Sequence, residues 1–421
     1  MGLVTEERVI LVGCRQKQSE KKADFESSMN ELKSLAESAK GSVAAVKYQE
    51  RDRVHPSTYI GKGKLREIAS EAETVEADLL IFNDELSSGQ AANIQNMTGF
   101  PVIDRTQLIL DIFADRAQTK EGKIQVELAQ LNYMLPRLTG QGESLSRLGG
   151  GIGTRGPGET KLETDRRHIQ KRMDDLKKQL EQVKKRREVH REERKRSRRA
   201  QFALVGYTNA GKSTILNALT KADAVSEDEL FATLDPLTRR VELPSGYQAL
   251  MSDTVGFIQD LPTSLIASFR STLEEVLEAD VLIHVVDASG EEVDKHLKTV
   301  KSHLTQLSAG HLQVITVLNK VDQMQEETFI PEGRTLRMNA YDKNDQQQLL
   351  HEMEEALKDI SVYFSIDVTP DRGDAVAKIR QEAVLDTEMF DEERSVFRLK
   401  GYLFADHPLW GLIQEFKQEE T

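Results

Sequence analysis

Cysteine and tryptophan are nearly missing: the 421 residues hold one of each, Cys14 and Trp410, and aromatic residues make up only 5%. One thiol forms no intramolecular disulfide, which excludes the stapled secreted scaffolds and makes a reducing, cytoplasmic compartment the expectation. No apolar stretch reaches the roughly 20 residues that span a bilayer. Charged residues stand near the N-terminus where a signal peptide would carry its apolar run, so neither a span nor a leader is expected. Even charge is lacking too. The formal net charge is −13, yet residues 151–200 carry 18 Lys and Arg against 9 Asp and Glu. A concentrated basic segment in an acidic chain meets phosphate while the rest maintains solubility; its plainer reading is a solvated helical face.

A chain of this length exceeds one ordinary core, and its 38% apolar content argues against wholesale disorder. Residues 1–104 alternate short apolar runs (Arg8 to Gly13, Ser42 to Val46, Asp78 to Phe82) with helical stretches near Phe25 to Ala39, Leu65 to Glu73 and Gly89 to Met97, as an α/β domain does. Gly61-Lys62-Gly63-Lys64 within it reads as a glycine turn entering a helix, with phosphate contact as the sharper alternative. Over 105–199, Ile124, Leu128, Leu131, Leu135 and Leu138, then Ile169, Met173, Leu176, Leu180 and Val183, follow spacings of four and three. These two heptad stretches predict an antiparallel helical hairpin with a glycine-rich tip loop over 139–160. Thr160 and Glu163 fit a capping box opening the second helix.

Residues 200–360 return to strand–helix alternation, with strands at Gln201 to Val205, Gln248 to Asp253, Val281 to Asp287 and Val314 to Asn319. They predict a doubly wound α/β sheet. Residues 361–421 suggest a small α+β domain with strands at Val362 to Val368, Ala383 to Met389 and Ser395 to Leu403 and a helix near Asp374 to Gln381. Trp410 there reads as a packing residue.

Two glycine motifs compete for a nucleotide. Gly151-Ile152-Gly153-Thr154-Arg155-Gly156 matches the dinucleotide fingerprint, which requires a buried strand feeding its first glycine. The preceding GQGESLSRLGG is polar, and no acidic strand end follows some 20 residues later. The segment therefore reads as a flexible tip, and nicotinamide-dependent oxidoreductase chemistry is not expected. Gly206-Tyr207-Thr208-Asn209-Ala210-Gly211-Lys212-Ser213-Thr214 does follow an apolar strand and open a helix. It is a phosphate loop: backbone amides turn around the phosphates, Lys212 adds charge at the β and γ positions, and the Ser213 hydroxyl binds Mg²⁺. Asp253-Thr254-Val255-Gly256 ends another strand, placing Asp253 to hold the metal through water and the Gly256 amide near the γ-phosphate. Asn319-Lys320-Val321-Asp322 ends a third, where the Asp322 carboxylate accepts two N–H groups that guanine presents and adenine does not. Met338-Asn339-Ala340 backs the base by position, although GTPases usually carry Ser-Ala there. In this order, at strand ends, the matches predict a Mg²⁺-dependent GTPase.

The chain resembles the HflX GTPases, translation-factor-related proteins that bind the large ribosomal subunit. The resemblance runs through QVELAQLNYMLPRL, GGGIGTRGPGETKLETDRR, GYTNAGKST, LFATLDPLTRR, DTVGFI and NKVD. It implies that Phe231-Ala232-Thr233-Leu234-Asp235 is the first switch, with Thr233 giving Mg²⁺ a second hydroxyl when γ-phosphate is present. Lys212, Thr233 and Gly256 are then the candidates for catalysis. Phe257 stands where many GTPases keep a water-orienting glutamine, which implies slow intrinsic hydrolysis. It further implies a glycine tip inserted toward the peptidyl-transferase centre, with Arg147, Arg155, Lys161, Arg166 and Arg167 as candidate RNA contacts. The expected function is GTP-dependent splitting or rescue of ribosomes by a monomer under stress; the alternative is a GTP-dependent module acting on a protein partner through its helical arm.

Overall fold

The computed structural model describes residues 7–17, 21–146, 157–220, 230–231, 233–258, 275–290, 293–324, 331 and 333–419. Two compact units emerge, one reaching from the N-terminal side to Val183 and taking in Leu230 and Phe231, the other beginning at Lys184 and holding the remaining described chain.

In the first unit, β1 (Arg8–Gln16), β2 (Ser42–Arg51), β3 (Leu79–Phe82) and β4 (Val102–Asp104) form a parallel sheet in the order β2-β1-β3-β4. Val9 to Val12 are buried without interruption, as expected of a strand covered on both faces. Helix α1 (Lys22–Ser38) buries Phe25, Met29, Leu32, Leu35 and Ala36, the i, i+3, i+4 stripe of an amphipathic helix. Helices α2 (Lys62–Thr74) and α3 (Ser88–Thr98) complete the crossovers. At the start of α2, Gly61 holds the N-cap position and donates its N–H to the Gln49 side chain at 2.7 Å, while Lys64 pairs with Glu67. Helix α4 (Arg105–Arg116) follows β4 directly because the Asp104 carboxylate caps it, accepting the Gln107 N–H at 3.0 Å.

Helices α5 (Lys120–Ser146) and α6 (Pro157–Ser197) are the predicted pair. Ile124, Leu128, Met173 and Leu176 form one buried cluster, with Leu131, Leu135, Ile169 and Leu180 packed against it. The Arg172 guanidinium clasps Glu127 across the pair in two bonds of 2.6 and 2.8 Å. Two expectations need correction. Helix α5 continues through Gly140 and Gly142 to Ser146, so it enters the stretch 139–160 assigned to the tip loop. A helical glycine costs only about 1 kcal/mol relative to alanine, less than a packed seam returns. Helix α6 begins at Pro157, not at Thr160, which therefore lies inside the helix; proline's fixed φ suits the first helical position. Gly151 to Gly156 lie outside the described residues.

The second unit carries a six-stranded sheet in the order β10-β9-β8-β5-β7-β6, parallel except for β6 against β7. Its strands are β5 (Gln201–Gly206), β6 (Leu237–Glu242), β7 (Gln248–Asp253), β8 (Val281–Asp287), β9 (Gln313–Asn319) and β10 (Arg334–Arg337), with helices α7 (Lys212–Thr220), α8 (Val293–Gln306) and α9 (Lys343–Asp359). This is the expected doubly wound arrangement, with β6 and β10 added at the edges. The same unit ends in an antiparallel sheet β11-β13-β12 (Val362–Val368, Val396–Leu403, Val384–Asp391) packed with α10 (Gly373–Glu382) and α11 (Trp410–Glu419). Trp410 packs into this core and donates its indole N–H to the Phe404 carbonyl at 2.7 Å.

Candidate functional site

The carboxyl ends of β5, β7, β8 and β9 converge, and ligands of open α/β sheets bind there because the loops leaving the strands open a crevice. From β5 the chain turns through Gly206 to Thr208 into α7. Gly211 has φ +95°, and a Cβ on it would come within 2.2 Å of the Asn319 amide nitrogen. Glycine alone satisfies both constraints. The Asn319 side chain uses the room: its N–H₂ donates to the Ala210 carbonyl at 2.9 Å, and its oxygen accepts the Ala340 N–H at 3.2 Å. One side chain thereby ties the phosphate loop, the end of β9 and the Met338 to Ala340 segment into one frame.

Lys212 is buried at 6% exposure, and its ammonium donates to the Gly206 and Tyr207 carbonyls at 3.1 and 2.7 Å. Burial pushes its pKa down to about 8, against the opposing pull of the Asp253 carboxylate. A bound phosphate favours the charged form, so nucleotide binding takes up a proton once the free lysine begins to lose it. GTP affinity should therefore be about tenfold weaker at pH 9 than at pH 7, by proton linkage. A flat affinity across that range in a fluorescence titration would contradict the assignment of this cation to the phosphates.

Beside the lysine three side chains converge. The Ser213 hydroxyl lies 2.8 Å from that of Thr233, and both lie on the same Asp253 oxygen, Oδ2, at 2.5 and 2.7 Å. Three close contacts thus share two hydroxyl protons. The second Asp253 oxygen, Oδ1, is buried and has no hydrogen-bond partner. A hard oxygen-ligated cation such as Mg²⁺ answers both features, since it needs no proton from a hydroxyl and occupies lone pairs left idle. Among the described residues no group of three or more His, Cys, Asp or Glu could hold a metal; Ser213, Thr233 and Asp253 instead offer the hard oxygen donors that Mg²⁺ takes.

The remaining predicted residues distribute as follows. Lys320 adopts φ +61° and pairs with Asp287 at the end of β8 at 2.7 Å; that partner was not anticipated, because a strand-end aspartate has no motif of its own. Val321 and Asp322 begin a 3₁₀ turn in which Asp322 is exposed. Met338 is fully buried, and its carbonyl and N–H bond to Val321 and Leu318. The Asn339 N–H bonds to Asp345 and the Ala340 carbonyl to Gln346, a second pair missed in the sequence. In the first switch, Phe231 is buried edge-on against Phe113 with ring centroids 4.6 Å apart, which leaves its backbone as what it can offer a nucleotide. Leu234 is buried, Asp235 half-buried, and Ala232 outside the described residues. Gly256 is followed by Phe257, whose backbone pairs with Gly206 and Thr208 and whose ring stacks on His303 at 5.2 Å. That ring faces the core. Among the RNA candidates, Arg166 and Arg167 are exposed on α6, Lys161 lies within that helix, and Arg147 and Arg155 fall outside the described residues.

Sequence-family profiles match in three consecutive segments: residues 26–114 with "GTP-binding GTPase N-terminal", 116–194 with "GTP-binding GTPase Middle Region", and 201–320 with "50S ribosome-binding GTPase". The GTPase HflX of Alkalihalophilus pseudofirmus is 52% identical over 99% of this chain and 98% of its own length. The GTPase HflX of Escherichia coli K12 is 38% identical over 87% of this chain and 88% of its own. A GTP-binding protein from Sulfolobus solfataricus, solved with GDP, covers 83% of this chain and 98% of its own with 22% identity and a TM-score of 0.46.

Proposed function

The chain belongs to the HflX family of GTPases, and on that premise we propose that its GTP-bound form docks on the large ribosomal subunit and splits or rescues ribosomes. GTP is its substrate and hydrolysis to GDP its reaction. The observation that carries the ribosomal reading is the match of residues 201–320 to 50S ribosome-binding GTPases. The exposed basic side chains of α6, Arg166, Arg167, Lys171, Lys177 and Lys178 among them, support it, because such a face binds RNA phosphates and releases their counterions.

Within the reaction the residues divide the work. Asn319 holds the phosphate loop and the guanine turn in register. Lys212 and the loop amides balance phosphate charge, and Asp322 reads the base. Mg²⁺, when bound, would neutralise charge developing between the β- and γ-phosphates, held by Ser213 and Thr233 with Asp253 behind them through water. Phe257 faces the core and orients no water, so the attacking water is ordered by another group or by the ribosome.

Ser213 sits on α7 and serves both nucleotide states, whereas Thr233 belongs to a segment that answers to γ-phosphate. Ser213→Ala should weaken GDP and GTP alike in the presence of Mg²⁺, on the order of tenfold for one lost ligand. Thr233→Ala should leave GDP binding near its original value and depress the triphosphate state and turnover. Equal GDP weakening in the two variants would remove Thr233 from the switch. The splitting step itself is read by light scattering of intact ribosomes: scattering should fall when the protein and GTP are added, and stay constant with GDP. Constant scattering in both would leave only the reading of a GTP-dependent module for a protein partner.

A further inference from the structure

Tyr341 follows Ala340 in the turn that leaves β10, and its side chain is 76% exposed, more than any other large apolar or aromatic side chain among the described residues. A lone exposed aromatic is ordinary on a protein surface and by itself points to nothing. The turn that carries it is not ordinary. Met338 donates its N–H to the Leu318 carbonyl at 2.9 Å, Asn339 to the Asp345 carboxylate at 2.8 Å, Ala340 to the Asn319 side chain at 3.2 Å and Tyr341 to the Asn339 side chain at 3.0 Å. Two carbonyls are held as well: that of Ala340 accepts from the Gln346 amide at 2.8 Å, and that of Asn339 accepts the Asp342 N–H at 2.9 Å. Asp342 then caps α9, its carboxylate accepting the N–H groups of Asn344 and Asp345 at 2.8 and 3.1 Å. The backbone of Tyr341 is thereby fixed between the end of β9 and the first turn of α9.

A turn bonded this fully has few ways left to meet a base. The four consecutive N–H groups from Met338 to Tyr341 already have acceptors, so the contribution open to the segment is a side chain, and Tyr341 carries its one ring. Asn319 binds both Ala210 and Ala340, and the chain runs directly from it through Lys320 into the 3₁₀ turn of Asp322. The frame that holds the guanine-reading carboxylate therefore also carries the ring. Asp322 reads an edge. Edge bonds select a base but leave both of its faces in water, and a face is what an aromatic side chain covers without regard to the hydrogen-bonding pattern at the rim. A tyrosine on a fixed backbone does so at little cost in entropy, since only two side-chain torsions remain to be settled.

We propose that Tyr341 is a base-stacking residue of the guanine site, its ring covering one face of the base whose edge Asp322 reads; the proposal rests on that placement of guanine. A stack is blind to the phosphates, so it contributes equally to GTP and GDP, unlike Thr233, which answers to the γ-phosphate. It is equally blind to the groups on the rim of the base, so it raises affinity without choosing among purines. Asp322 selects, and Tyr341 retains. The tyrosine hydroxyl has no part in this, which makes phenylalanine an adequate replacement and alanine an inadequate one. Because the contact is the same before and after the chemical step, its loss raises KM and leaves kcat unchanged.

The test uses the full-length protein without ribosomes. Calorimetry of Tyr341→Ala should show GDP and a non-hydrolysable GTP analogue weakened alike, each about tenfold, as a lost base–aromatic stack requires; Tyr341→Phe should stay within about twofold of the parent. Steady-state hydrolysis by Tyr341→Ala should show KM raised by the same factor and kcat unchanged. Tyr341→Trp should bind GDP as the parent does and lose fluorescence on binding, because its indole then lies against guanine, whereas the parent's single tryptophan, Trp410, packs into the core of the β11-β13-β12 sheet and should report no change. Full affinity in Tyr341→Ala, an equal loss in Tyr341→Phe, or a fluorescence indifferent to GDP in Tyr341→Trp overturns the stack. Asp322→Asn separates this failure from that of the base site. If it gains xanthosine diphosphate while Tyr341→Ala keeps its GDP affinity, the stack alone is overturned; if its preference stays with GDP, the base site falls and the stack with it.

Discussion

Asp322→Asn is expected to lose GTP affinity by on the order of 100-fold, since of the two hydrogen bonds that a carboxylate accepts from guanine, at about 1.5–3 kcal/mol each, the amide loses one outright and weakens the other by removing its charge. The same variant should gain xanthosine triphosphate. An amide offers a donor to the xanthine carbonyl where the carboxylate offered an acceptor to the guanine amino group. The change is otherwise mild. Asp322 is exposed in its 3₁₀ turn, and the frame that positions the turn belongs to Asn319, with bonds to Ala210 and Ala340, and to Lys320 with Asp287. Folding should therefore survive, and a competition assay reads specificity alone. Unchanged preference for GTP over xanthosine triphosphate would refute the role given to this carboxylate.

The second large effect concerns the connection between α5 and α6. Replacing Leu145 to Gly158 with a short Gly/Ser linker should abolish action at the centre of the ribosome, whether splitting or displacement of a bound ligand. The same replacement should leave guanine-nucleotide affinity and slow intrinsic hydrolysis near their original values. Every group proposed for the phosphate, metal and base sites lies at the carboxyl ends of β5, β7, β8 and β9 or in the segments beside them, outside the replaced stretch. The exposed lysines and arginines of α6 also remain, so salt-sensitive attachment should persist. The alternative reading of Gly151 to Gly156 as a nucleotide cradle predicts the reverse. Loss of GTP binding in a folded linker variant would restore that reading.

Much of this was legible in the sequence because the chemistry of a phosphate loop is local. The glycine at position 211 and the strand ends carrying Asp253 and Asn319 announce themselves through short patterns that few other structures require. The hairpin seam was equally legible, since Ile124 to Leu138 and Ile169 to Val183 repeat the spacing that packing imposes. The edge strands were not. β6 reads LTRRVE and β10 RTLR, polar sequences whose strand character comes from pairing with β7 and β9 rather than from an apolar run, as is common at sheet edges. Helix ends were misplaced for a related reason: Gly140, Gly142 and Thr160 carry local turn and cap signals that the long helices override. The stacks of His296 on Tyr207 and His303 on Phe257 left no trace at all, because contacts made across a fold have no sequence spacing.

The central claim, that GTP switches this protein onto the large subunit, is tested most directly by sedimenting it with purified large ribosomal subunits in the presence of a non-hydrolysable GTP analogue or GDP. The account predicts comigration with the analogue, little with GDP, and loss of comigration at high salt as the basic face of α6 is screened. Equal sedimentation in both nucleotide states, or none in either while a protein partner is carried down instead, would contradict it.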